Sequence, residues 1–214
     1  MPDHYAARGK FITLEGIEGV GKSTQIAVAC ECLQQTGVEV VVTREPGGTV
    51  LAERLRALLL ATDLPAMTSL TELMLMFAAR AEHLAQVILP ALQRGAWVVS
   101  DRFHDASYAY QGGGRGVPEA AIKALDALVV GAHQPDLTVL LDAPVPVALA
   151  RAAARANAPD RFEKERVEFF ERVRSCYLAR AAAEPTRIHV LDASDSISQV
   201  AATLRHTLRT VLLI

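Results

Sequence analysis

Two kinds of segment alternate in the pattern of hydrophobic and polar residues along the chain. Short runs are nearly continuously apolar and rich in β-branched side chains, which is typical of strands buried on both faces of a parallel sheet. They lie at residues 11–14, 38–43, 97–100, 137–141 and 188–191. Segments with helical periodicity separate them, at residues 22–35, 50–61, 70–94, 118–130, 146–155 and 163–183, and from residue 197 onward. This alternation predicts an α/β fold of three layers, with a five-stranded parallel sheet and helices on both faces.

Polar side chains stand where four of the five predicted strands end. Glu15, Arg44, Asp101 and Asp142 come directly after the last apolar position of their strands. Open α/β sheets bind ligands at the carboxyl ends of their strands. We therefore expect these four side chains to lie at the edge of the sheet where a ligand binds.

Length and composition favour a single globular domain. The chain has 214 residues, 51% of them hydrophobic and 21% charged, which is typical of one large domain rather than of a disordered chain. The formal net charge of −2 argues against a general nucleic-acid-binding protein, which would carry an excess of basic residues. We expect one domain over residues 1–214, with a lid at about 150–163 that includes the irregular polar stretch 156–161.

The sequence also bears on the cellular setting. No apolar run approaches the ~18 residues of a membrane-spanning helix, and the first ten residues lack the apolar core of a signal peptide. The three cysteines form no CxxC pair, and their odd number is typical of reduced thiols. We expect a cytoplasmic protein without a membrane partner.

The strongest motif follows the first predicted strand. Residues 16–23 read GIEGVGKS and match the pattern GxxxxGK[ST] of a phosphate-binding loop, or P-loop. Its glycines let backbone N–H groups point toward an anion, its lysine reaches the outer phosphates, and its hydroxyl can bind Mg²⁺. The loop lies between a strand and a helix, and the helix adds the positive end of its dipole. The motif predicts a P-loop NTPase fold.

A P-loop alone leaves GTPases, motor ATPases and small-molecule kinases open. Regulatory GTPases read guanine with an Asn-Lys-x-Asp motif, but the only asparagine of the chain is Asn157, and Ala158 follows it. A motor ATPase would more naturally be part of a larger chain. A nucleoside monophosphate kinase needs a second anion site that faces the P-loop.

Three arginines are candidates for that second site. Arg44 follows the second strand in TREPGGT (residues 43–49), Arg80 lies on a predicted helix in FAAR (residues 77–80), and Arg102 follows Asp101 at a strand end. Guanidinium groups bind phosphate oxygens in bidentate fashion, so these side chains suit a monophosphate. Arginine makes up 18 of the 22 basic residues, although genomic base composition explains that bias equally well.

Taken together, the motifs resemble those of the bacterial thymidylate kinases. The segments EGIEGVGKST (15–24), TREPGGT (43–49), FAAR (77–80), DRF (101–103) and AYQGGGRG (109–116) occur in the order and at the spacing of that family. PDLT (135–138) and DRFE (160–163) extend the match through nearly the whole chain. The resemblance implies a kinase that transfers the γ-phosphate of ATP to dTMP, giving ADP and dTDP for dTTP biosynthesis. It also implies Mg²⁺ as cofactor and a homodimer.

The resemblance further implies roles for individual residues. Lys22 and Glu18 are implied to act in catalysis, and Ser23 and Asp101 to hold magnesium. The ATP site is implied to comprise Gly16, Ile17, Glu18, Gly19, Val20, Gly21, Lys22, Ser23 and Thr24. The dTMP site is implied to comprise Arg44, Phe77, Arg80, Arg102, Ser107, Tyr110 and Gln111.

Within the implied dTMP site the residues have different tasks. Arg44 and Arg102 match the phosphate ligands, Arg80 and Ser107 match contacts to the thymine, and Tyr110 matches a ring that crowds the sugar 2′ position. The chain departs from the family at one place. Many members carry a phenylalanine four residues before the base-contacting arginine, where this chain has Met76, and Phe77 comes three residues before it. Both offsets lie on roughly the same helix face, so either side chain can cover the thymine.

A second departure concerns the catalytic arginine. Some members of the family carry an arginine in the P-loop at the position of Gly19, whereas members with glycine there place an arginine in the lid. Arg155 and Arg161 flank the irregular stretch and are the candidates for this role, and Arg151 lies one helical turn from Arg155. An arginine at the transferred phosphate can supply ~10³–10⁵ in rate.

Two alternative functions stay open on the residues alone. Another nucleoside monophosphate kinase, similar to guanylate or cytidylate kinase, would share the P-loop and the arginines. A regulatory module that binds ATP and hydrolyses it slowly would share the P-loop only.

Overall fold

The computed structural model describes residues 8–154, 161–163 and 165–214. A parallel sheet of five strands lies at its centre, in the order β2-β3-β1-β4-β5. The strands are β1 (Phe11–Glu15), β2 (Val40–Arg44), β3 (Trp97–Asp101), β4 (Leu137–Asp142) and β5 (Ile188–Asp192). The predicted fold is confirmed. Each strand ends one residue later than predicted, because the polar residue at its end still belongs to the ladder.

Helices connect successive strands. They are α1 (Lys22–Gln34), α2 (Val50–Leu60), α3 (Ser69–His83), α4 (Leu89–Gln93), α5 (His104–Ser107), α6 (Glu119–Val129), α7 (Val145–Ala153), α8 (Val167–Ala183) and α9 (Ile197–Leu212). Thr49, Thr68 and Ser196 start α2, α3 and α9 by accepting a hydrogen bond from a backbone N–H of the first turn. Among the described helices, none combines the length and the apolar character that crossing a membrane requires.

The long helix predicted over residues 70–94 contains one wider turn. A π-helical turn at Leu84–Ile88 separates α3 from α4, and the N–H of Leu89 donates to the carbonyl of Leu84. Pro90 follows directly; it has no N–H to donate, and its ring crowds the preceding turn. The wider turn accommodates the proline without ending the helix.

One helical region has no counterpart in the sequence prediction. Helix α5 continues into a π-helical turn at Tyr108–Gly114, although three consecutive glycines disfavour a helix. Packing explains it: a Cβ on Gly113 would lie 2.8 Å from Cβ of Cys176, and one on Gly114 would lie 2.5 Å from the Phe169 ring. The glycines therefore let this turn lie directly on α8. This packing places Tyr110 and Gln111, which belong to the turn, at the site.

Alternating strand residues bury the two faces of the sheet against different helices. Ile12 and Val99 belong to a cluster with residues of α1 and α9, including Leu33 and Leu204. Phe11 and Val98 belong to a second cluster with Leu92 and other residues of α4 and the turn before it. Helices thus cover both faces, and the carboxyl ends of the strands remain free to form a site.

Candidate active site

Two clefts open at the carboxyl edge of the sheet. The first, of about 900 Å³, is lined by the P-loop and the start of α1, and is called the loop cleft here. The second, of about 720 Å³, is lined by residues of α3, α5 and the following π turn, among them Arg80, Ser107 and Tyr110, and is called the inner cleft. Four residues line both clefts: Glu18, Arg56, Asp101 and Arg102. A ligand in one cleft therefore meets a ligand in the other at these four side chains.

The P-loop owes its shape to glycines. Gly16, Gly19 and Gly21 all have positive φ, at 131°, 80° and 93°, a conformation that costs other residues free energy. At Gly19 the requirement is also steric, since a Cβ there would overlap the carbonyl oxygen of Ala148 in α7. Ile17 and Val20 are buried in the core and are not part of the lining of the loop cleft.

Lys22 folds back over the P-loop. Its Nζ donates to the carbonyl oxygens of Gly16 at 3.1 Å and Ile17 at 3.0 Å. Burial, together with the positive charge of Arg102, lowers the pKa of Lys22 to about 8. Ser23 and Thr24 follow it, and both line the loop cleft.

Arg102 lies at the boundary of the two clefts and is held by several partners. One nitrogen, Nη2, donates to Oε1 of Glu18 at 2.8 Å and to the hydroxyl of Tyr110 at 3.0 Å. The other, Nη1, donates to the carbonyl of Gly16 at 2.7 Å and to the hydroxyl of Tyr177 at 3.2 Å. Burial raises the pKa of Glu18, but the positive charges of Arg102 and Lys22 lower it by more. The pKa of that carboxyl is therefore below its usual value.

Arg80 is buried, with 2% of its surface exposed. Its Nε donates to Oε2 of Glu45 at 2.8 Å, and its two Nη atoms donate to Oγ of Ser107 at 3.0 Å and to the carbonyl of Phe103 at 3.1 Å. His83 lies 3.0 Å from the other oxygen of Glu45 and 2.6 Å from the hydroxyl of Thr43. The guanidinium that lines the inner cleft is therefore fixed in orientation by a buried carboxylate.

The two candidates for a base cover take different positions. Met76 lines the inner cleft. Phe77 packs in the core with its ring 4.5 Å from the guanidinium carbon of Arg80. The structure therefore places Phe77 behind the arginine and Met76 at the surface of the cleft.

Asp101 and Arg44 lie at the same sheet edge. Asp101 lines both clefts, and its Oδ1 is buried without a hydrogen-bond partner among the described residues. A buried carboxylate oxygen of this kind suits a hard cation such as Mg²⁺. Arg44 lines the inner cleft and is half-exposed, with Nη2 3.0 Å from Oε2 of Glu53.

The lid arginines are distributed differently from the sequence expectation. Arg155 lies outside the described residues. Arg161 is directed toward α3 rather than the loop cleft: Nη1 donates to Oε2 of Glu72 at 2.7 Å, and Nε donates to the carbonyl of Leu59 at 2.8 Å. Arg151 lines the loop cleft, and its Nη1 donates to the carbonyl of Ala193 at 2.6 Å.

The sequence analysis assigned no role to several site residues. Arg56 lies on α2 outside any motif, yet it lines both clefts and donates to the carbonyl of Pro46 at 2.9 Å. Phe162, which lines the inner cleft, packs edge-on against Tyr110 with ring centroids 5.8 Å apart. Tyr177 reaches Arg102 from α8, far along the chain. Phe162 belongs to the DRFE segment (160–163), whereas Arg56 and Tyr177 are revealed only by contacts between elements far apart in the chain.

Comparisons with known proteins point to one family. The family model described as thymidylate kinase matches residues 14–204. A protein named thymidylate kinase from Alkalilimnicola ehrlichii is 56% identical over 94% of this chain and 93% of its own length. One from Chromohalobacter salexigens is 58% identical over 92% of this chain and 93% of its own. A crystal structure of thymidylate kinase from Ehrlichia chaffeensis covers 94% of this chain and 99% of its own with a TM-score of 0.78, at 34% identity.

A P-loop facing a second, arginine-lined cleft across the edge of a parallel sheet defines a P-loop kinase of small substrates. The comparisons identify which kind. The chain belongs to the thymidylate kinase family. It is a phosphotransferase of nucleotide biosynthesis that phosphorylates dTMP at the expense of ATP.

Proposed function

We propose that ATP binds in the loop cleft and dTMP in the inner cleft, with their phosphates meeting at the four shared residues. The observation that carries this proposal is the shared boundary of Glu18, Arg56, Asp101 and Arg102. Phosphoryl transfer is catalysed mainly by positioning and by stabilising charge. The two arginines of this boundary can bind phosphate oxygens. Its two carboxylates can bind a metal ion and a substrate hydroxyl.

On the ATP side, we assign the outer phosphates to Lys22 and to the P-loop amides. The two hydrogen bonds of Lys22 are to loop carbonyls, so its amine already lies at the mouth of the loop. Asp101 and Ser23 would hold Mg²⁺, and the buried Oδ1 of Asp101, which has no hydrogen-bond partner among the described residues, supports this assignment. When bound, the ion would offset the negative charge of the phosphate oxygens during transfer.

On the dTMP side, the residues divide between phosphate, sugar and base. Arg102, Arg44 and Arg56 are assigned to the phosphate. Arg80 and Ser107 are assigned to the thymine edge with Gln111, which also lines the inner cleft. Met76 covers the base, while Phe77 supports Arg80 from behind. Tyr110, whose hydroxyl donates to Glu18 at 2.7 Å, lies where it can crowd a ribose 2′ substituent.

For the lid we assign different tasks to the two described arginines. Arg151 supplies charge to the nucleotide in the loop cleft. Arg161 anchors residues 161–163 to α3 through Glu72, which keeps Phe162 against Tyr110. In this arrangement residues 1–214 act as one domain with the lid at about 150–163.

We further propose that the enzyme works in the cytoplasm as a homodimer. Large apolar side chains are exposed on three helices, α2, α3 and α6: Val50, Leu51, Leu58, Leu70, Met74 and Leu128. A second copy of the chain could bury them, since patches of this kind mark interfaces. Sedimentation equilibrium of the purified chain tests this, and a monomer at micromolar concentration contradicts it.

A panel of acceptors tests the catalytic proposal. ADP release is followed with ATP and Mg²⁺ and, in turn, dTMP, UMP, CMP, GMP or no acceptor. We expect release that depends on dTMP and falls at least about 100-fold in kcat/KM for Arg102→Ala. The control Arg94→Ala removes an exposed arginine paired with Glu39 and should leave the rate unchanged.

Two outcomes contradict the proposal. ADP release without any acceptor indicates an ATP-binding regulatory module. A preference for GMP or CMP indicates another nucleoside monophosphate kinase.

A further inference from the structure

A buried pair, Glu15 and Tyr177, lies directly behind Arg102. Glu15 ends β1 and is completely buried. Its Oε2 accepts the hydroxyl proton of Tyr177 at 2.6 Å, and its Oε1 accepts the backbone N–H of Phe103 at 2.7 Å. The same tyrosine oxygen accepts a hydrogen bond from Nη1 of Arg102 at 3.2 Å. A continuous chain of hydrogen bonds thus joins Glu15 to the guanidinium at the boundary of the clefts.

The backbone of Arg102 needs support. Its φ is +69°, and this left-handed conformation is strained for a residue with a side chain. The strand end is held from three sides: Arg102 N–H donates to the carbonyl of Leu14 at 3.0 Å, Ser100 Oγ donates to the carbonyl of Arg102 at 2.7 Å, and Phe103 N–H donates to Glu15. Glu15 is the one ionisable group among these three supports.

The side chain of Arg102 has partners on several elements. Gly16 and Glu18 bind the guanidinium from the P-loop, and Tyr110 binds it from the π turn. Tyr177 contacts Nη1 from α8, the helix that follows the lid. Since Tyr177 is itself buried and bound to Glu15, its oxygen has a fixed position and can set where Nη1 lies.

We propose that Glu15 and Tyr177 are positioning residues that hold Arg102 in the orientation needed for the acceptor phosphate. This inference rests on the proposed binding of dTMP with its phosphate at Arg102. It concerns two groups that act through the arginine rather than on the substrate. It also makes the docking of α8 a condition for phosphate binding in the inner cleft.

The variant Tyr177→Phe tests the proposal, because it removes the hydroxyl and keeps the buried ring. Calorimetric titration measures the affinity of the full chain for dTMP and for thymidine, which has the same base and sugar but no phosphate. We expect dTMP to bind about five- to tenfold more weakly, the effect of losing a hydrogen bond in a buried network. Thymidine should bind as it does to the wild type. A merely structural loss would weaken both ligands.

The matched control is Tyr108→Phe. Tyr108 is also buried, its hydroxyl donates to Asp126 at 3.1 Å, and it is not part of the lining of either cleft. This variant should lose stability without changing either affinity. Glu15→Gln, a second variant that keeps the shape of the side chain, should weaken dTMP selectively, as Tyr177→Phe does.

The outcomes separate the inference from the proposed function. If the wild type binds dTMP no more tightly than thymidine, the assignment of the acceptor phosphate to Arg102 fails. If the wild type discriminates but Tyr177→Phe behaves as Tyr108→Phe does, the positioning role is overturned while the proposed function stands. Equal weakening of dTMP and thymidine by Tyr177→Phe also overturns it.

Discussion

The two clefts are built on opposite principles. The loop cleft takes its shape mainly from one short stretch of backbone, in which glycines with positive φ shape the P-loop and Lys22 folds back over it. The inner cleft takes its shape from side chains on separate elements, with Arg80 on α3, Ser107 on α5 and Glu45 after β2. The first depends on conformation, and the second depends on buried charge.

This difference predicts different vulnerabilities. A backbone cradle fails when a Cβ is added, whereas a charge network fails when one partner is removed. A change in one cleft should leave binding in the other intact, except at the boundary residues that both share.

The largest effect is expected from Glu45→Ala. Glu45 is buried between Arg80 and His83, and removing one partner of a buried ion pair costs about 3–5 kcal/mol. The free energy of unfolding should fall by that amount in urea titrations. The affinity for dTMP should fall as well, because Arg80 loses its anchor, while the affinity for an ATP analogue is unchanged.

The control for this variant is Glu53→Ala. Glu53 is also bound to an arginine of the inner cleft, Arg44, but both side chains are exposed. Exposed pairs contribute about 0–1 kcal/mol. Equal losses for Glu45→Ala and Glu53→Ala would refute the view that burial makes the acceptor network fragile.

Gly19→Ala probes the other cleft. The added Cβ would overlap the carbonyl of Ala148, and φ is +80°, so strain from overpacking adds to the conformational cost, for a total of about 3 kcal/mol. ATP binding should weaken while dTMP binding is retained.

Gly37→Ala isolates the conformational part. Gly37 has φ of +83°, but no atom lies within 4 Å of the position that an added Cβ would take, so its substitution should cost about 1 kcal/mol. Thermal and urea unfolding of both variants give the comparison. Similar values would mean that the contact between the P-loop and α7 is unimportant.

A third effect, smaller than those of Glu45→Ala and Gly19→Ala, concerns the boundary and depends on pH. Burial, and after it the charge of Asp105, raises the pKa of Glu15 from 4.5 to about 7. The folded state then binds more protons than the unfolded state between these values, so the free energy of unfolding falls as pH rises through the window. Between pH 5 and 7.5 the loss should be about 2 kcal/mol.

Glu15→Gln removes this contribution because the amide does not titrate. Urea unfolding of the wild type and the variant over this pH range should give curves that diverge as pH rises. Parallel curves would contradict a raised pKa of Glu15 in the folded state.

The sequence pointed to the P-loop as one unit but to only part of the inner cleft, for a physical reason. Residues 16–24 are contiguous, so the conformation that the glycines permit and the position of Lys22 follow from local order. Arg80 was also found, because it lies in a recognisable motif. Its neighbour His83, and Tyr177 on α8, were not, because their roles depend on contacts between elements far apart in the chain.

The same reasoning explains the two structural surprises. The helical turn at Tyr108–Gly114 exists because glycines fit against α8, which no local propensity indicates. The orientation of Arg161 depends on Glu72, a buried carboxylate that also accepts hydrogen bonds from Gln111 and Arg115. The strands, in contrast, were found nearly to the residue, because their apolar runs are set by burial on both faces.

The contact between Gly19 and α7 bears on how this P-loop can be redesigned. A larger side chain at this position would require the carbonyl of Ala148 to withdraw first, so a substitution there needs a second change that moves α7. The packing of one helix thus limits which residues the phosphate-binding loop can carry. An engineered P-loop with a cationic side chain at position 19 should therefore begin with α7.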